Sequence, residues 1–85
     1  MSNLPRVVDI PYYPLALDLR EGVRVEEVLG LLQSLKDQNV VEFYWRTDNS
    51  SIVFADIIGD TNYRKFEETL GSKTIITVLP KAQML

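Results

Sequence analysis

Two aspartates come nearest to an acid/base pair in this sequence. Asp18 and Asp56 fall in separate apolar segments that are predicted to form neighbouring strands, with both side chains on the same face. Two carboxylates held close together in a dry site repel, and the pKa of one of them rises. An arginine such as Arg20 or Arg46 between them would cancel that shift. The alternative is one aspartate paired at the edge of an interface and the other solvated.

The remaining polar residues lack the partners that catalysis or metal binding needs. The chain has neither Cys nor His, which removes thiol nucleophiles, imidazole bases and the commonest zinc ligands. Ser50 and Ser51 therefore have no histidine to activate them. The acidic pairs 26–27 and 67–68 are predicted to be solubilising charges on helix exteriors. We expect a protein that is not an enzyme, with no catalytic residue, cofactor or metal.

Composition and charge limit which class of protein this is and which partners it can bind. An apolar fraction of 46% and a charged fraction of 25% are typical of a globular domain. Twelve acidic against nine basic residues give a net charge of −3, the wrong sign for binding phosphates, so no direct nucleic-acid partner is expected. The start "MSNLPRVVDI" lacks the pattern of a signal peptide, and no window resembles a membrane span. We expect a cytoplasmic protein.

The spacing of apolar residues predicts the elements that position these side chains. An extended arm over residues 1–11 precedes one domain over residues 12–85. The predicted elements are a strand at Tyr13–Arg20, a helix at Val23–Asn39, a hairpin over Val40–Ile58, a helix from a cap at Asp60 or Thr61 through Leu70, and a strand at Lys73–Leu79. This order indicates an α+β, ferredoxin-like βαββαβ fold, an antiparallel four-stranded sheet with both helices on one face.

The hairpin is apolar on both faces, but two helices cover only one. Val53, Ala55 and Ile57 lie on one face of the hairpin and are smaller than the aromatic residues of the other face. Closely packed helices fit better against this smaller set, called here the predicted seat for the helices, so the aromatic set remains uncovered. That set, the predicted dimer interface, is Val41, Phe43, Trp45, Ile52 and Phe54, with Asp56 beside it. We expect a homodimer packed sheet to sheet, or a higher oligomer. In the alternative, the aromatics form the domain's own core and the arm 3–14 covers the other face.

Several stretches together resemble a known family. They are a first strand followed by an acid and Gly22, the strands "VVEFYWRT" and "IVFADIIGD", the helix "YRKFEETL" and the closing "TIITVL". Over Tyr12–Pro80 the chain resembles the effector-binding RAM domain of the Lrp/AsnC feast/famine transcription regulators, either in a stand-alone form without the helix-turn-helix or as the effector half of a longer regulator. The resemblance implies a dimeric α/β-barrel assembly, further association into rings, and amino acids or similar metabolites bound between subunits.

The resemblance also implies a ligand site at the hairpin turn. In the family this turn commonly carries a glycine, with an aspartate at the start of the next strand. Here the stretch is "TDNSSIV", with Asp48 in the glycine's place and Ser51 near the aspartate's. The predicted ligand contacts are Asp48, Asn49, Ser50, Ser51 and Asp56.

The function expected from these features is a non-catalytic oligomerisation and small-molecule effector-binding module in transcription regulation. Its expected partners are a second copy of itself, an Lrp/AsnC-type regulator and an amino-acid-type effector. Two alternatives stay open. One is a small enzyme of the dimeric α/β-barrel class that uses Asp18 or Asp56, and the other is a structural subunit of a larger complex.

Overall fold

The computed structural model describes residues 11–47 and 50–80 of the 85-residue chain. Its elements are β1 (Tyr12–Leu19), α1 (Val25–Asp37), β2 (Phe43–Arg46), β3 (Ile52–Ile58), α2 (Asp60–Leu70) and β4 (Thr74–Val78). The strands form one antiparallel sheet in the order β2-β3-β1-β4. Each helix joins two strands that have a third strand between them, which confirms the predicted ferredoxin-like α+β fold. The predicted arm is described only at Pro11, and the rest of it lies outside the described residues.

The inner face of the sheet is apolar because strand side chains alternate between the two faces. Leu15 and Leu17 of β1 are buried there, and so is the predicted seat for the helices, Val53, Ala55 and Ile57 of β3. All three residues of that seat are fully buried, as expected for small side chains beneath closely packed helices. The outer face of β3 therefore carries its larger side chains.

Both helices bury one stripe against this face. The buried residues are Val28, Leu32 and Leu35 of α1, and Phe66 and Leu70 of α2. Tyr63 of α2 is half-buried and packs against Tyr13 of β1, with their ring planes tilted by 30° and their ring centroids 4.6 Å apart. The core is thus one layer between the helices and the sheet, and neither described helix lies on the other side of the sheet.

The chain leaves α1 through a left-handed residue. Asn39 has a φ of 63°, a left-handed conformation that asparagine tolerates and that is common just past a helix end. The amides of Val40 and Val41 then both donate to the carbonyl oxygen of Leu35, at 2.9 and 3.3 Å. These bonds hold the two valines against the core, where each is 2% exposed. The prediction that Val41 lies on the uncovered face is therefore wrong, because β2 begins only at Phe43 and strand alternation does not extend back to Val41.

The start of α2 also differs from the prediction. Neither Asp60 nor Thr61 caps this helix; Gly59 is the N-cap residue, with a φ of 99° that favours glycine, and no side-chain hydrogen bond caps the helix. The Asp60 carboxylate instead accepts a hydrogen bond from the Tyr13 hydroxyl. Gly71 follows the helix as its C-cap, in agreement with the sequence pattern.

Polar contacts fix the start of β4. The hydroxyl of Thr74 is buried and donates to the carbonyl oxygen of Leu70, 2.9 Å away. The ammonium of Lys73 lies 2.7 Å from a carboxylate oxygen of Glu27 in the first turn of α1. This ion pair, through its hydrogen bond and its charge, lowers the pKa of Glu27 from its usual 4.5. The last strand is therefore anchored to both helices before it reaches the edge of the sheet.

Gly30 offers a simple test of the packing of α1. A β-carbon added there would meet no atom within 4 Å, so no backbone approaches this mid-helix glycine. We expect Gly30→Ala to raise the free energy of unfolding by about 0.5–1 kcal/mol, since alanine restricts the unfolded chain and favours the helix. Urea denaturation measures the change. Gly22→Ala is the control, because its φ of 84° should make the same substitution destabilising. Equal shifts in the two variants would contradict this account.

Candidate functional site

The candidate site is the outer face of the sheet, the side that the two helices of the described residues leave uncovered. Residues paired across antiparallel strands point to the same side. In this register Phe43 faces Asp56, and Trp45 faces Phe54. The pairs of β1 and β4 continue the face across the sheet. The described outer face consists of Tyr12, Pro14, Ala16, Asp18, Phe43, Trp45, Ile52, Phe54, Asp56, Ile58, Ile75 and Thr77.

Three aromatic rings form a stack at one side of this face. The ring centroids of Phe43 and Trp45 lie 5.5 Å apart, and those of Trp45 and Phe54 lie 5.4 Å apart. Phe43 remains 53% exposed and Trp45 38% exposed. Apart from Val41, the residues predicted for the uncovered face lie on it, and the alternative in which the aromatics form the helix-covered core does not hold. Their role in a dimer stays a prediction.

A tyrosine holds the carboxylate at the end of this stack. The hydroxyl of Tyr12 donates to Oδ1 of Asp56 over 3.1 Å. Partial burial raises the pKa of the Tyr12 hydroxyl, and its bond to Asp56 and the charge of that carboxylate raise it further. Asp56 is therefore a fixed, half-buried acceptor next to apolar rings rather than a mobile surface charge.

The two aspartates do not form a pair. Asp56 is opposite Pro14, four residues along β1 from Asp18, which corresponds to a separation of roughly 13 Å. Asp18 is exposed, as in the alternative of one held and one solvated carboxylate. The two arginines considered as partners make other bonds: Arg20 donates to the carbonyl of Gly71 and Arg46 to that of Ser50.

The hairpin turn and Asp56 lie at opposite ends of β3. Asp48 and Asn49 fall outside the described residues. The hydroxyl of Ser50 accepts a bond from the amide of Ile52 at 3.0 Å, and Ser51 is exposed. Six positions separate Ser50 from Asp56, so the described part of one chain does not bring the predicted ligand contacts together.

Other surfaces offer less chemistry. An open groove of about 220 Å³ runs along α2 between Thr61, Arg64, Lys65 and Glu68, and neither aspartate of the sheet lines it. Within residues 11–47 and 50–80, no group of three acidic side chains gathers as metal ligands would. None of the described helices is long and apolar enough to cross a membrane.

Two features of this surface were missed from the sequence. Ile75 lies on the outer face and is 51% exposed, although the alternation in "KTIITVL" could have placed it there. The bond between Tyr12 and Asp56 joins residues 44 positions apart, and it becomes visible only once the register of β1 on β3 is known. Ile75 and Tyr12 lie on β4 and β1, so they extend the outer face beyond the hairpin.

Comparisons of the chain with protein-family models, with curated proteins and with solved structures found no match.

Proposed function

We propose that this chain is a non-catalytic module that assembles with copies of itself through the outer sheet face and holds a small-molecule effector in transcription regulation. The observation that carries the proposal is the exposed stack of Phe43, Trp45 and Phe54 on the side of the sheet that has no helices. The resemblance to RAM domains supplies the regulatory setting, with an amino-acid-type effector, a regulator of the Lrp/AsnC type as partner and a cytoplasmic location.

The size of the face suits a self-associating protein. Four strands about 4.8 Å apart, each contributing about six residues, cover a plan area of roughly 400 Å². Hiding ~500 Å² of apolar surface in total, about 250 Å² on each of two copies, stabilises by on the order of 12 kcal/mol, against an association cost of about 4–15 kcal/mol. The sheet face alone therefore supports a weak to moderate dimer, whose population changes over accessible protein concentrations.

The placement of the acidic residues supports a binding role over a catalytic one. An acid/base mechanism needs two groups within reach of one substrate, but Asp18 and Asp56 lie roughly 13 Å apart along the sheet. Asp56 already accepts the Tyr12 hydroxyl at 3.1 Å and is surrounded by apolar side chains of the outer face. A fixed acceptor beside aromatic rings is suited to orienting a ligand that carries a donor.

The effector is proposed to bind between copies. Ser51 is an exposed polar residue at the turn end of β3, while Asp56 lies near the other end. A small molecule cannot span both positions within one chain. A ligand that contacts both would take Ser51 from one copy and Asp56 from the next, which makes effector binding and association interdependent.

Thermal unfolding with a panel of amino acids tests the effector. A ligand present at 100 times its Kd stabilises by about 2.7 kcal/mol. For a domain of this size, we expect that stabilisation to raise the Tm by roughly 10 °C or more. The shift should disappear in the Asp56→Asn variant and persist in Glu68→Gln, which changes an acid on the opposite side of the molecule.

The mass in solution tests self-association separately from effector binding. Light scattering over a range of concentrations should give more than the chain mass of 9.7 kDa. A multimer whose Tm no amino acid changes would be a structural assembly module without the sensing role. A 9.7 kDa particle at all concentrations would contradict self-association itself.

A further inference from the structure

The outer face brings a carboxylate and an aromatic ring together at Asp56. Asp56 of β3 is paired with Phe43 of β2, and side chains paired in this way have β-carbons about 5 Å apart on one side of the sheet. Phe43 is 53% exposed and Asp56 is half-buried, so solvent reaches both side chains. We call this pair, the carboxylate of Asp56 with the ring of Phe43, the Asp56 corner.

Neighbouring side chains hold both groups of the Asp56 corner in place. From β1, the hydroxyl of Tyr12 donates to Oδ1 of Asp56 over 3.1 Å. A carboxylate can accept about four hydrogen bonds, so this bond orients the carboxylate without using up its capacity as an acceptor. The ring of Phe43 stacks on that of Trp45, with their planes 26° apart. The corner is therefore a fixed acceptor beside a fixed ring, and such an arrangement binds a ligand with little loss of conformational freedom.

The charge of the described outer face is negative. Asp18 and Asp56 lie on it, while the described basic residues are held elsewhere. Lys73 pairs with an acid of α1, and Arg20 and Arg46 donate to backbone carbonyls. The other basic residues that the structure describes lie on the helices or at the start of α1. A ligand that binds this face therefore meets acidic side chains.

We infer that the effector is a ligand of net positive charge, whose ammonium or guanidinium group packs on the ring of Phe43 and binds the carboxylate of Asp56. A cation within about 6 Å of a ring centroid is attracted to the face of the ring. A hydrogen bond between two charged groups is about twice as strong as one between neutral groups. One cation makes both contacts because the ring and the carboxylate are neighbours. The inference rests on the proposed function and names the chemical class of its effector, a basic amino acid or a small amine.

Association makes a cation a better ligand for this corner than a neutral donor. A second copy packed on the outer face removes water from Asp56, and burying a carboxylate without a counter-charge costs free energy. A neutral hydroxyl or amide satisfies one acceptor position but leaves the negative charge in place. An ammonium or guanidinium group cancels that charge, so binding of a cation and association of the chains should strengthen each other.

Two pairs of ligands that differ by one charge test the class of effector. Lysine and norleucine share their α-amino and α-carboxyl groups and differ in a side-chain ammonium, while arginine and citrulline differ in a guanidinium. We expect lysine and arginine to bind about 10- to 100-fold more tightly than their neutral counterparts, because hydrogen bonds to charged groups are the stronger ones. Titration at matched ionic strength, followed by the fluorescence emission of Trp45, measures each Kd, since this ring stacks on Phe43.

Three variants locate the preference for a cation at the Asp56 corner. Asp56→Asn keeps an oxygen that accepts the Tyr12 hydroxyl but removes the charge, so lysine and norleucine should bind it equally. Asp18→Asn is the matched control, because it removes the same charge from the same face roughly 13 Å away, and it should keep the preference. Phe43→Leu keeps an apolar side chain without the ring and should weaken lysine binding by about 2- to 5-fold. Equal loss of preference in the two asparagine variants would overturn the inference, because the ligand would then respond only to the net charge of the face.

Light scattering separates this inference from the proposed self-association. Lysine should lower the protein concentration at which the mass exceeds the chain mass of 9.7 kDa, and norleucine should not. Equal Kd values for lysine and norleucine, or no binding of any of the four ligands, would overturn the inference, while a mass above 9.7 kDa in the same samples would leave self-association standing. A chain that stays at 9.7 kDa, yet prefers lysine in a way that depends on Asp56, would support the cation site and contradict self-association.

Discussion

The Phe43→Glu variant is expected to lose the sheet-to-sheet contact while remaining folded. Phe43 lies on an edge strand and is 53% exposed, so the isolated chain tolerates a polar residue there. In the assembly the substitution forfeits roughly 100 Å² of apolar contact per copy, or about 2.5 kcal/mol. It also buries an unpaired carboxylate. Because each 1.4 kcal/mol is tenfold in affinity, the Kd should rise by at least ~100-fold.

Light scattering and the emission of Trp45 report this loss together. Trp45 is the single tryptophan and stacks on Phe43. Its fluorescence emission should therefore shift to longer wavelength when loss of the contact exposes the outer face to solvent. Thr61→Glu, an exposed position on α2, adds the same charge away from the sheet and should leave both readouts unchanged. A Phe43→Glu protein with the mass and emission of the wild type would remove the basis of the proposed function.

The Phe66→Ala variant is expected to lose most of the stability of the domain. Phe66 is fully buried between α2 and the sheet, and removing a buried aromatic side chain costs about 3–5 kcal/mol. A chain of 85 residues has a total stability of roughly 4–13 kcal/mol, so this loss is a large fraction of the whole. Urea denaturation followed by circular dichroism measures it.

The control for this variant lies one position away. Lys65→Ala on the exposed side of α2 should change the free energy of unfolding by no more than about 0.5 kcal/mol. Both proteins should be compared at one concentration, because association adds to the apparent stability. A cost below about 1 kcal/mol for Phe66→Ala would mean that the core is not the layer between the helices and the sheet.

The fold was predictable from the sequence because its elements have clear periods. The stripe of Val28, Leu32 and Leu35 could only be one face of a helix, and Val53 and Ala55 alternate with larger residues as in a strand. Small residues on one side of β3 and aromatics on the other also predicted which face the helices cover. These inferences depend only on local spacing, so they did not need the tertiary structure.

The errors arose where long-range contacts decide. The prediction for Val41 extended the alternation of β2 to residues that bonds to Leu35 hold in the core. Asp18 and Asp56 do share a face, as predicted, but the register of β1 on β3 sets them apart.

The uneven distribution of bulk across the outer face has a consequence for how two copies would stack. The rings of Phe43, Trp45 and Phe54 thicken the β2–β3 half, while Ala16 and Thr77, level with Trp45, leave the middle of the β1–β4 half thin. A rotation axis parallel to the strands lays the thick half of each copy over the thin half of its mate, so the gap between the layers is even. An axis across the strands would set ring upon ring and leave a hollow elsewhere. Close packing therefore favours the first arrangement. Because that axis leaves Ser51 and Asp56 of the two copies apart along the strands, an effector that contacts both residues would bind between dimers of a larger assembly.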